Sequence, residues 1–121
     1  HKAVTEGQVG RLEQVFESID EKVGSKKCEA IEGLIKEAES IIEDTDKGTS
    51  TRDVGLILAA QKVEHYEIAS YGGLRQLAVT LGYTEAADLL QQTLDEEKET
   101  DLKLTDIAEN NINYEAAEEK E

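Results

Sequence analysis

The stretch VEHYEIASYGGLRQLAVTLGYTEAADLLQQTLDEEKETDLKL, Val63 to Leu104, decides the fold. It divides at Gly82 into two segments. In each, apolar residues recur at three- and four-residue spacing, the pattern of a helix that buries one face. Gly82 supplies a left-handed stop, and Thr84 followed by Glu85 and Ala86 reads as an N-cap opening the next helix. The two segments therefore turn back on one another as a long antiparallel hairpin. Its first arm carries the inward line Ile57, Ala60, Glu64, Glu67, Tyr71, Leu74, Ala78, Leu81. Its second carries Ala87, Leu90, Leu94, Glu97, Asp101, Leu104, Ala108, Ile112. Two acids interrupt each line. The turn fixes the register, and Glu64 and Glu67 precede it by about as much as Glu97 and Asp101 follow it. All four should meet at one level.

The same reading extends in both directions. Val9, Leu12, Val15, Phe16, Ile19 and Val23 predict a first helix from His1 to about Val23, broken by Gly24-Ser25-Lys26-Lys27. A shorter crossover helix is expected from about Cys28 to Glu43, with Ile31, Leu34, Ile35, Ala38, Ile41 and Ile42 inward. Asp44 to Arg52 has no apolar residue and reads as a solvated loop. The hairpin helices then run from about Asp53 to Leu81 and from Thr84 to about Ile112, leaving Asn113 to Glu121 as a frayed acidic tail. Residues 1–112 thus form one helical domain. The 121 residues suffice for one core, and the absence of proline with the scarcity of aromatics favours helices over a sheet. The fold class is all-α.

A net charge of −15 opposes nucleic-acid binding, since phosphate would be repelled. Metal cations and basic surfaces are the natural partners. No apolar run approaches the roughly 20 residues that span a bilayer, so no membrane association is expected. A single cysteine, Cys28, and no visible targeting segment suggest a cytoplasmic protein. The chain starts His-Lys-Ala and contains no methionine, so it reads as the observed part of a longer one. Neither a Ser-His-Asp order, a phosphate-binding glycine loop nor a zinc-type Cys/His cluster is present.

Four facing carboxylates cannot all stay ionised in a low-dielectric interior; they take up protons, find cations, or bind metal. A divalent ion suits them, because carboxylates are hard oxygen ligands and helical bundles hold di-iron or di-manganese pairs on acids from facing helices. The competing reading is a solvated acidic face, which a modest helix rotation would produce, and to which Asp95, Glu96 and Glu99 are assigned. No Glu-x-x-His pair is present. His65 projects about 100° from Glu64 and reads as a partner of the acids rather than a ligand. Tyr66 and Tyr71 are candidates to hydrogen-bond them. Gly72-Gly73 implies a close helix approach or a kink. Cys28, at a helix start, reads as inert packing.

The segments GQVGRLEQVFESI, KKCEAIEGLIKEAESII, KVEHYEIASYGGLRQLA and LGYTEAADLLQQTLDEEKETDLKLTDIAENNIN resemble the ferritin-like family of bacterial stress proteins of the YciE/YciF type. The resemblance implies a rubrerythrin-like four-helix bundle with a crossover between its second and third long helices, a dimer, and a di-iron centre, with manganese as the alternative metal. It also implies oxidation of ferrous iron by dioxygen or peroxide. Glu64, Glu67, Glu97 and Asp101 match half of the family's ligand pattern. The family's first helix has no counterpart here, and Ala3 and Val4 stand where relatives carry glutamates, with His1 and Glu6 nearby. Three long helices and a short crossover would leave a groove open, to be filled by a homodimer or a helix-exchanged oligomer. The alternative to metal chemistry is a non-enzymatic structural or interaction protein, its acids protonated, hydrated or paired with lysines.

Overall fold

The computed structural model describes residues 1–120. Among them there is no strand. The chain forms α1 (Lys2–Ser18), α2 (Glu29–Asp44), α3 (Ser50–Leu81), α4 (Thr84–Ile107), a π-helical turn (Ala108–Ile112) and α5 (Asn113–Glu118). None of the helices is long and apolar enough to cross a membrane. α2 has 16 residues, the length expected of it, whereas α1, at 17, is shorter than expected.

The helix ends follow from local hydrogen bonding. α1 stops five residues before the expected Val23. Asp20 adopts a φ of 56°, its N–H bonds the Glu17 carbonyl at 3.1 Å, and the Glu21 N–H reaches back to Phe16 at 2.9 Å. This is the Schellman pattern with aspartate in the left-handed position, which its short polar side chain tolerates. Val23 is left exposed beyond the end. α3 ends as the sequence implies: Gly82 has a φ of 79°, with Gly82 N–H on Val79 at 3.1 Å and Tyr83 N–H on Ala78 at 2.9 Å. The Ala87 N–H then bonds Tyr83, so Tyr83 rather than Thr84 is the half-in residue of α4.

Two compact units share the long helices. The first comprises residues 1–26 and 67–98. Its core is Ala78, Ala86, Ala87 and Leu90, with Leu12, Val15, Ile19 and Tyr71 packed against them. Small alanines let backbones approach closely, and the larger side chains of α1 and Tyr71 fill what remains. The inward line of α4 is buried here as expected. That of α3 is not: Leu74 and Leu81 are 49% and 67% exposed, and only Ala78 on that stretch is buried.

The second unit comprises residues 27–66 and 99–121, of which 27–66 and 99–120 are described. α2 turns Ile31, Leu34, Ala38 and Ile41 partly inward, while Ile35 and Ile42 are exposed. The close helix approach lies here, not at Gly72-Gly73. A Cβ on Gly55 would meet the Ile41 Cγ2 at 2.6 Å, whereas nothing lies within 4 Å of one on Gly72 or Gly73. Arg52 closes the C-terminal end of α2, donating to the carbonyls of Ile42 and Thr45 and to Thr45 Oγ1. Residues 113–118 are helical rather than frayed. Glu119 takes the Ser50 and Thr51 N–H groups at 2.6 and 2.9 Å and the Thr51 hydroxyl at 2.6 Å. Those are donors that the start of α3 has no helical partner for, and they hold the Glu119 carboxyl below the usual carboxylate range.

Candidate metal centre

Glu64 and Glu67 lie one turn apart on α3, so their side chains leave the helix on the same side. Glu97 leaves α4 from its buried stripe, one turn after Leu94. Glu64 and Glu97 are each only 3% exposed. Each of the three offers a carboxylate oxygen, and these atoms lie within 4.8 Å of one another. Among the described residues they are a grouping able to hold a metal ion. Without a cation the charges repel, and a proton must lodge there. Burial first, then the hydrogen bond to Glu97 and its charge, push Glu67 up to about 7. Burial, and next the charges of Glu67 and Glu97, raise Tyr71, so its phenol stays protonated beside them.

Asp101 takes a different set of neighbours. Its Oδ1 lies 3.1 Å from His65 Nε2 and accepts a 3.4 Å hydrogen bond from Gln61 Nε2, which also donates to Thr105 Oγ1 at 2.9 Å. His65 is a partner of an acid, as its angular position implied, and that acid is Asp101. Tyr66 meets Cys28, with Sγ and the hydroxyl oxygen 3.2 Å apart. This hydrogen bond first, and the Ile31 N–H next, lower the Cys28 pKa at the start of α2.

The contribution of α1 was not foreseen. Ala3 and Val4 are exposed, and Glu6 pairs with Lys2 at 3.9 Å. What α1 brings to the acids is a pair of donors one turn apart, Gln8 and Arg11. Gln8, 8% exposed, donates through Nε2 to Glu97 Oε1 and to Glu96 Oε2, the latter at 3.1 Å. Arg11 meets Glu96 with two nitrogens, Nη1 on Oε2 at 2.9 Å and Nη2 on Oε1 at 2.8 Å, and donates to Thr93 Oγ1 at 2.9 Å. Glu96 is therefore an ion-paired residue, although about a third of its side chain stays exposed. The Arg11 hydrogen bond first, then that of Gln8 opposed by burial, holds its carboxyl below the usual range. The available signal was the presence of two polar residues at i and i+3 beside the apolar stripe of Leu12, Val15 and Ile19.

Residues 1–117 match the family described as a domain of unknown function, DUF892. The chain belongs to that family. Within DUF892 it is similar to Protein YciF of Escherichia coli K12, at 57% identity over 117 residues, 96% of this chain and 70% of that one. The crystal structure of the E. coli stress protein YciF superposes with a TM-score of 0.85 at 56% identity, covering 92% of this chain and 70% of that one. YcfI from Rhodopseudomonas palustris gives 0.79 at 42% identity, covering 85% and 65%. The YciF-type resemblance and the all-helical bundle expected from the quoted segments both hold.

Proposed function

We propose that this DUF892 chain binds a carboxylate-ligated divalent cation, with Glu64, Glu67 and Glu97 as its ligands and Asp101 one turn further along α4. The observation that carries the reading is the convergence of three carboxylate oxygens within 4.8 Å, two of the residues being buried. The donor set fits a hard cation: all three atoms are oxygens, and removing such charges from water is offset only by a cation or a proton. Iron is the first candidate and manganese the second, as one ion or a bridged pair. A bound ferrous ion would supply one-electron chemistry toward dioxygen or peroxide, in keeping with the description of the E. coli relative as a stress protein.

The chain's own residues do the rest. Glu67 holds a proton that a cation displaces, so binding tightens with rising pH as the competing proton leaves. Tyr71 stays neutral beside the acids. Arg11 neutralises Glu96 and Gln8 adds a hydrogen bond to it, keeping that carboxylate occupied elsewhere.

A second reading is favoured by the same donors. Gln8 and Arg11 already supply hydrogen bonds to Glu97 and Glu96, as a purely structural polar layer would require. Anaerobic ferrous titration with elemental analysis separates the two. The metal reading expects a stoichiometric ion retained by folded protein and lost in Glu64→Ala/Glu97→Ala. Metal-free folded protein that responds to neither iron nor manganese establishes the structural reading instead.

A further inference from the structure

We propose that Gln8 is a positioning residue for the metal centre, fixing the Glu97 carboxylate through its amide N–H while the Gln8–Arg11 pair keeps Glu96 out of the ligand set. This rests on the metal reading above.

Glu96 and Glu97 are consecutive on α4, so their side chains diverge by about 100° around the helix. Two adjacent acids beside a metal site pose a selection problem, because a glutamate has enough rotatable bonds to swing toward a cation. The structure addresses it from α1. Arg11 engages both oxygens of Glu96 in a fork, an arrangement that fixes orientation as well as charge. Gln8 Nε2 lies between the two acids and donates to one oxygen of each. Glu96 Oε2 thus receives both Arg11 and Gln8, while Glu97 Oε1 receives Gln8 alone of the two. Gln8 is buried, so these bonds face little competition from water. A neutral amide suits the task better than a lysine would. It orients the carboxylate without cancelling the negative charge that attracts the cation, and it has no charge of its own to desolvate.

Residues that orient a ligand from behind typically govern metal affinity by about 10–100-fold when removed. The alternative role for Gln8 is the reverse: a plug, whose hydrogen bond satisfies Glu97 in place of a cation and must be broken on binding. The two roles predict opposite signs.

The test is Mn2+ binding to the full chain by calorimetry, with the Mn2+ electron paramagnetic resonance line shape as a readout of ligand symmetry. Gln8→Leu and Gln8→Met remove the amide while keeping similar bulk, so that one serves should the other disturb packing, with circular dichroism recording helix content. Gln8→His returns an N–H at nearly the same reach. We expect about 10–100-fold weaker binding and a broadened line shape in the apolar variants, with most of both restored in Gln8→His. Unchanged or tighter binding in Gln8→Leu and Gln8→Met, with the wild type binding normally, overturns the positioning role. Absence of Mn2+ binding by the wild type itself overturns the metal reading and this inference with it. The two failures are distinguishable because they occur in different proteins.

Discussion

Glu67 is a side chain whose chemistry folding alters. Its carboxyl rises from an ordinary 4.5 to about 7 in the folded chain, so the folded state binds this proton more tightly than the unfolded one. The resulting stability is complete below about pH 4.5 and is lost as pH rises through 7. Other carboxylates act in the opposite sense: Glu96 and Glu119 are lowered, and their contribution is lost on acidification. The Glu67 component is isolated by comparison with Glu67→Gln. In urea denaturation with a chelator present, the wild type should lose on the order of 1 kcal/mol relative to the variant between pH 5 and 7.5, the figure allowing for solvent screening of a half-exposed group. Parallel pH profiles for the two proteins would contradict a proton resident on Glu67. That Glu64, Glu67 and Glu97 converge was legible in the sequence, because register from a turn is a one-dimensional count. That Asp101 pairs with His65 and Glu96 with Arg11 was not. Those outcomes depend on rotation about the helix axes and on rotamers, and a carboxylate at the edge of a stripe can face either way.

At the scale of elements, glycine positions separate two kinds of cost. Gly55 sits where α3 passes Ile41 of α2, and a methyl there would collide with Cγ2. Gly72 and Gly73 face open space. In a helix interior alanine is favoured over glycine by about 1 kcal/mol, so Gly72→Ala and Gly73→Ala should each raise the urea midpoint. Gly55→Ala should lower it, because the usual overpacking cost of about 1–3 kcal/mol outweighs that same propensity gain. Equal effects at all three positions would show that α2 and α3 are not in contact there. The existence of all four helices was readable from periodicity, whereas the early end of α1 was not. Val23 continues the apolar spacing, and nothing in composition marks Asp20 as the residue that adopts a left-handed conformation. Glycine advertises such a stop, as at Gly82. Aspartate does so only through the hydrogen bonds it permits.

For the molecule as a whole, the unburied side chains carry the information. Leu74, Leu77 and Leu81 stand at three- and four-residue spacing along one side of α3 and are each about half exposed or more. An apolar stripe of that length favours association, and we expect sedimentation equilibrium to give a homodimer that Leu77→Glu/Leu81→Glu converts to monomer. Wild-type protein that sediments as a monomer at tens of micromolar would refute it. The bundle class came through composition and spacing, since the physics that selects helices is local. The face that α3 leaves uncovered did not, because the same stripe is written whether it meets another helix of the chain or another molecule.

The π-helical turn at Ala108–Ile112 has an effect beyond its own five residues. Widening the ladder by one residue advances everything after it by about 100° around the axis relative to an uninterrupted α-helix. Glu115 and Glu119 reach Ser50 and Thr51 in the phase so produced. The turn works as a single-residue insertion that resets angular phase. A deletion within it would re-aim the final helix without changing any residue of the contact itself.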